Sequence, residues 1–215
     1  MYHTDHTVSL VHTTDKAEEL IAYMARVSNP SNQDNTKTSA RLVKYLIDHK
    51  HWSPFEMVSM CVEINTTRSI AAQILRHRSF SFQEFSQRYA HPTEIGSPVV
   101  PELRLQDHKN RQNSIETDKD DLFSQQAIAD LYKHSLSVYR QLIAQGVAKE
   151  CAREVLPLSM PTRLYMHGTL RSWLHYCDLR CANGTQKEHM IIANQVKELI
   201  CIHFPIVAAA MWDKK

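Results

Sequence analysis

Glycine is scarce in this chain, with four residues in 215. That excludes a Gly-rich phosphate loop or a self-contained dinucleotide fingerprint, since each needs several glycines within one turn. Long apolar runs are missing too, and none approaches the roughly 20 residues of a membrane-crossing helix. The stretch from Met1 to Leu10 is polar and His-rich, without the apolar core of a secretory signal. Neither sign of charge dominates: 25 basic against 23 acidic residues leave +2, too little by itself to mark a polynucleotide binder. Five cysteines, odd in number and irregular in spacing, form no paired C-x-x-C. They read as reduced thiols of a cytosol-like compartment (the host's, if the source is a virus), with no metal site expected.

What is present is an ordinary globular composition, 43% hydrophobic and 22% charged. Periodicity predicts helices over Asp15–Val27, with Asp15 and Glu18 as a capping pair, and over Thr38–His49. His51-Trp52-Ser53-Pro54 begins an extended segment, and Val58 to Ile64 alternate as a half-buried strand. Thr67 is placed as the cap of a short helix turning Ile70, Ile74 and Leu75 inward. Residues Ala90 to Asp121 are polar and punctuated by proline, which marks a loop or insertion at about 90–125. A long helix from about Asp121 to Gln145 is expected to bury Leu131, Leu136, Val138 and Leu142 and to stop at Gly146. A helix over Ala148–Leu156 and a strand over Arg163–His167 follow. Thr169 caps a helix burying Leu170, Trp173, Leu174 and Cys177. A last helix starts with Thr185 and Glu188 as a capping box and buries Ile192, Val196 and Leu199. The fold class is α+β, mostly helical with a small mixed or antiparallel sheet, in one domain over 1–215.

Chemistry concentrates between Arg68 and Arg88, where four arginines meet one acidic residue, Glu84. Clustered guanidinium groups repel unless an anion joins them, and their paired N–H groups match phosphate oxygens two at a time. Gln73 and Arg76 lie three apart, which on a helix puts them on one face. Arg76-His77-Arg78 would then close that helix, where cations are favoured. A solvated basic patch accounts for the same charges.

Arg76-His77-Arg78, seven residues and then Ser86, with Gln73 before and Arg88 after, resembles the signature of the flavin-dependent thymidylate synthases. Further blocks keep that family's order. They are Ala25-Arg26-Val27-Ser28, His51-Trp52-Ser53-Pro54-Phe55-Glu56, Ala152-Arg153-Glu154-Val155-Leu156-Pro157, and Leu170-Arg171-Ser172-Trp173 with Leu179-Arg180. The resemblance implies a homotetramer that methylates dUMP to dTMP with FAD, NADPH as reductant and 5,10-methylenetetrahydrofolate as one-carbon donor. It implies dUMP contacts from Gln73, Arg76, Glu84, Phe85, Ser86, Gln87, Arg88 and Arg180, with Arg153 supplied by a neighbouring subunit. It implies FAD contacts from Ser53, Arg76, His77, Arg78, Glu84, Thr169, Leu170, Arg171 and His175. Arg171 and His175 are four apart, hence on one helix face. Arg180 would be the catalytic group, an always-protonated donor facing the uracil carbonyl and N3.

The second class of thymidylate synthase uses a cysteine nucleophile, but no Pro-Cys-His segment exists here, and all five cysteines fall on core-like positions. His175, Cys177, Cys181 and His189 invite a zinc reading, which the apolar company of Cys177 disfavours. Two rivals remain: a polynucleotide module built on the arginines and phenylalanines of 68–89, and an idle relative that binds dUMP without turnover. The flavin reading predicts a yellow protein whose visible absorption bleaches with NADPH in a dUMP-dependent way. A colourless preparation that FAD cannot reconstitute would contradict it.

Overall fold

The computed structural model describes residues 6–117 and 122–213. Its centre is a four-stranded antiparallel sheet in the order β1-β2-β6-β3. The central strands are β2 (Ser59–Thr67) and β6 (Pro161–Thr169), paired from Ser59 opposite Thr169 to Thr67 opposite Pro161. Met60, Val62 and Ile64 of β2 meet Leu164 and Met166 of β6 in one buried core, as the period-2 alternation requires.

Both outer strands escaped the sequence reading. Strand β1 (Thr7–Thr13) lies in the His-rich segment and carries a register shift between Leu10 and His12. Its pairing is secured from elsewhere: Gln195 accepts from Val8 N at 2.8 Å and donates to His6 O at 2.7 Å. Strand β3 (Ser81–Glu84) pairs with β6 inside the arginine-rich window.

The expected helices form, with shifted ends. Helix α1 is Ala17–Ala25 and α2 is Ser39–Asp48, burying Val43, Leu46 and Ile47. Helix α3 is Arg68–Ile74, α4 is Leu122–Ala144, α5 is Lys149–Ala152 and α6 is Leu170–Arg180. The expected start of α4 at Asp121 lies outside the described residues. A 3-10 turn, Arg153–Val155, continues α5. Helix α7 is Lys187–His203, and Pro205 opens a separate α8 (Pro205–Trp212), because Phe204 leaves helical geometry at φ −135°. The 90–125 segment holds a short antiparallel pair, β4 (Leu105–Gln106) with β5 (Ser114–Ile115). Ser53–Glu56 is a 3-10 turn, where an extended chain was expected.

Capping is where local reading failed most. Thr169 does cap α6, accepting from Ser172 N at 3.3 Å. Thr67 does not cap α3; its hydroxyl meets Ser69 Oγ at 2.8 Å, and the first α3 amides bond Met160 O and Leu158 O instead. Glu18 is no part of an α1 cap. It accepts from Val207 N at 2.8 Å, capping α8 from across the chain. The Thr185–Glu188 box is absent as well, because Arg104 takes the Glu188 carboxylate. Leu131 (62% exposed) and Leu75 (37%) face outward, so their helices show solvent an apolar residue the period had placed inside. Among the cysteines, Cys61 and Cys177 are buried, but Cys151 and Cys201 are exposed, contrary to a uniform core assignment; all five are free thiols.

Gly168 in β6 lets the Phe80 ring lie flat on the strand, in edge contact with Trp173 at a centroid distance of 4.6 Å. A Cβ at Gly168 would meet Phe80 Cδ1 at 2.4 Å. Gly168→Ala is therefore expected to cost about 1–3 kcal/mol by displacing a packed ring. An unchanged urea midpoint would contradict this placement of Phe80.

Candidate active site

Helices α3 and α6 end beside each other, and this brings the arginine window to the catalytic candidate. Helix α3 stops at Ile74, so Arg76, His77 and Arg78 leave it as an irregular turn. Gln73 and Arg76 therefore do not share a helix face. At the end of α6, Arg180 Nε donates to His77 Nε2 at 3.0 Å. For that bond the His77 nitrogen must be unprotonated. Burial, then the positive charges of Arg180, His175 and Arg76, push the His77 pKa down to about 4. Arg180 is half-buried and has no carboxylate partner among the described residues, nor do Arg76 and Arg78. A desolvated cation without a counter-charge is costly unless an anion arrives from outside.

Behind this contact sits a polar cluster that the sequence did not disclose. The His77 ring meets Tyr176 edge-on at 5.0 Å. Tyr176 Oη lies 3.1 Å from His189 Nε2, and His189 Nδ1 lies 3.3 Å from Gln73 Oε1. His189 is fully buried, and burial, followed by Arg180, His77 and Arg76, holds its pKa at about 3. No three His, Cys, Asp or Glu residues gather into a metal site among the described residues. Tyr176 and His189 sit at apolar helical spacings, so no sequence pattern singles them out as a pair.

A second group forms around the 86–90 turn. Ser86 O accepts from Tyr89 N and Ala90 N, closing the turn. Arg88 Nε reaches Glu150 Oε2 at 3.1 Å, and Lys149 Nζ donates to Tyr89 O at 2.7 Å, tying the turn to α5. Gln87 is buried, and its Nε2 has no hydrogen-bond partner. Arg153 Nε is also buried without a hydrogen bond, with only the exposed Glu154 carboxylate 3.5 Å away. Orphaned donors of this kind mark a place where a ligand or another subunit completes the bonding. Phe85 N bonds Arg163 O, and Glu84 accepts from Arg68 and from Thr162 Oγ1 at 2.9 Å. Among the described residues no hydrogen bond or ion pair joins the Arg88–Arg153 group to the Arg180–His77 group.

The flavin candidates of α6 line a cavity of about 550 Å³. Thr169, Arg171 and His175 open into it, with Trp52, Glu56 and Ser79 opposite. The four-residue spacing of Arg171 and His175 does put both on one face, and Arg171 is held by Glu56. Ser53 is exposed in the turn that supplies Trp52 and Glu56. The Leu170 side chain is wholly in the core, so only its backbone is left for a ligand. A larger cavity, about 700 Å³, is bordered by Thr67, Ile70, Val100, Arg104, Gln186 and Glu188. None of the expected site residues lines it, whereas Thr169, Arg171 and His175 line the smaller one.

Residues 9–206 match the family described as "Thymidylate synthase complementing protein". The chain is 53% identical over 207 residues to a probable flavin-dependent thymidylate synthase of Paramecium bursaria Chlorella virus 1, covering 95% of each. It is 52% identical over 196 residues to the flavin-dependent thymidylate synthase of Synechocystis sp., covering 90% of this chain and 89% of that one. Among solved structures, a UMP/dUMP methylase, PolB, from Streptomyces cacaoi bound with 5-Br dUMP superposes with a TM-score of 0.84 at 25% identity. That match spans 97% of this chain and 95% of the other.

The two depressed histidines set an acid limit. Their ordinary pKa is 6.5, so as pH falls through 6.5 the unfolded chain takes up protons that the folded chain refuses until about 4 for His77 and 3 for His189. Stability is therefore expected to be flat above pH 7.5 with respect to these groups and to fall below 6.5. A fully buried group contributes up to about 1.4 kcal/mol per pH unit, and half-exposed His77 less. Urea midpoints at fixed protein and FAD concentration check this. A His189→Asn variant whose acid slope matches the parent's would contradict it.

Proposed function

Because the chain belongs to the flavin-dependent thymidylate synthases, we propose that its unpaired arginines seat the substrate dUMP against FAD, with Arg180 as the catalytic group. The reaction converts dUMP to dTMP with methylenetetrahydrofolate as carbon donor. FAD, when bound and reduced by NADPH, would supply the hydride that completes the methyl group. What carries the residue assignment is the half-buried, carboxylate-free Arg180 guanidinium held by a neutral His77.

The chain's own groups divide the work. His77 engages Arg180 through Nε only, which leaves the terminal guanidinium N–H groups for the uracil carbonyl and N3. Arg180 stays protonated through turnover, so its part is electrostatic: it stabilises negative charge developing on the pyrimidine. Ser86, Gln87 and Arg88, with Gln73, Arg76 and Phe85, bind the phosphate end of dUMP, and Glu84 lies towards the sugar. The orphaned Gln87 Nε2 and Arg153 Nε fit an acceptor-rich anion. Among the described residues no hydrogen bond joins the Ser86 hydroxyl to a base, so it binds and does not attack. Thr169, Arg171 and His175 hold FAD along the 550 Å³ cavity they line, and Ser53, His77, Arg78 and the Leu170 backbone meet it beyond that lining. The carboxylate clamp from Glu56 keeps the Arg171 fork oriented there.

We assign the working form as a homotetramer in which Arg153 serves a neighbour's phosphate site. Its buried Nε, without a hydrogen bond among the described residues, supports that assignment. The single continuous core supports one domain, with 90–125 as its inserted segment. Five free thiols favour a cytosol-like compartment. No helix of the described residues is long and apolar enough to cross a membrane.

Arg180→Ala is expected to lower kcat/KM for dUMP about 10²–10³-fold with FAD still bound, and Arg180→Lys to restore little of it. Arg153→Ala should weaken dUMP at least tenfold with much less effect on FAD content. Equal losses for uridine and dUMP in the Arg153 variant would remove the phosphate assignment.

A further inference from the structure

The hydrogen-bonded row behind Arg180 has one permitted direction. Glu188, fastened by Arg104 at 2.7 and 3.0 Å, is an ionised carboxylate and accepts only. Burial draws its pKa upward, but bonds from its backbone, Arg104 and Gln186 outweigh that and leave it below the usual range. Gln186 Nε2 therefore donates to Glu188 Oε2 at 2.9 Å, which turns its own Oε1 towards Gln73. Gln73 Nε2 donates to that oxygen at 2.6 Å, which turns Gln73 Oε1 towards His189. His189 Nδ1 must then carry the proton and donate, at 3.3 Å, and its Nε2 must accept from Tyr176, at 3.1 Å. Each link is forced by the one before, so a single carboxylate assigns both amides and the imidazole tautomer.

We propose that His189 is a positioning residue for nucleotide binding: its Nδ1–H holds the Gln73 oxygen inward, so that the second Gln73 N–H is presented to dUMP as a donor. This rests on the placement of Gln73 in the dUMP site argued above. An unheld amide can rotate and offer its oxygen, which repels phosphate and uracil acceptors alike. Both histidine nitrogens are used and the ring is fully buried, so it stays neutral through the pH range of catalysis. The polarity originates in Arg104, which gives the 90–125 segment a part in the site through Glu188.

The test compares FAD-loaded wild type, Gln73→Ala, His189→Leu, His189→Asn and the Gln73→Ala/His189→Leu double variant. Equilibrium dUMP binding is followed by the flavin spectrum, alongside KM, kcat and thermal midpoint. An Asn amide nitrogen overlays Nδ1 and keeps the donor to Gln73 while abandoning Tyr176. His189→Leu is expected to weaken dUMP about tenfold, with kcat within about twofold, and His189→Asn to recover most of that loss although Tyr176 stays unpaired. In the Gln73→Ala background, His189→Leu should add less than about twofold. His189→Asn binding as poorly as His189→Leu, or independent effects in the double variant, would show a merely structural histidine and overturn the proposal. If His189→Leu does not fold, the His189→Asn and Gln73→Ala comparison still decides: His189→Asn should bind far closer to wild type than Gln73→Ala does. Unchanged dUMP affinity in Gln73→Ala alone would instead remove Gln73 from the site, and the proposal with it.

Discussion

A guanidinium taken halfway out of water without a carboxylate is the constraint around which this molecule is arranged. Arg180 meets that condition only because α3 and α6 end together, setting its Nε on the His77 nitrogen at 3.0 Å. Burial, then the charges of Arg180, His175 and Arg76, hold His77 neutral, which keeps the nitrogen an acceptor. Had an aspartate closed this cluster, the positive field would be spent inside the protein. Left open, it is available to an anionic pyrimidine nucleotide.

The sheet supplies the rigidity behind that contact. Trp173, fixed by its Nε1 bond to Met60 O at 2.9 Å, stacks edge-on with Phe80 and Tyr176, and Tyr176 backs His77. The ring packing runs from the central strand to the Arg76–Arg78 turn with no flexible aliphatic link. Gly168 makes that approach sterically allowed. Core packing and site geometry therefore share atoms, and a change in either is felt in both.

The two halves of the expected site share no hydrogen bond or ion pair among the described residues. Arg180 and His77 crown the helix ends, whereas Ser86–Arg88 and Arg153 gather around α5, leaving buried donors unbonded. A monomer in this state carries a desolvation cost that a phosphate or a neighbouring subunit would offset.

The sequence by itself determined the helices with strong 3.6 periodicity, the central strands β2 and β6, the α+β class and the identity of the arginine signature. Those features are local, and spacing alone exposes them: Arg171 and His175 do share a cavity wall as their four-residue separation requires. Tertiary structure decided the rest, because the deciding partners are remote in sequence. Strand β1 depends on Gln195, the α8 cap on Glu18, and the failed α7 capping box on Arg104. The Tyr176–His189–Gln73 row was unreadable for the same reason: Gln73 was legible as a ligand contact, but nothing local links it to His189 and Tyr176 until a carboxylate more than 80 residues from its arginine is brought beside them.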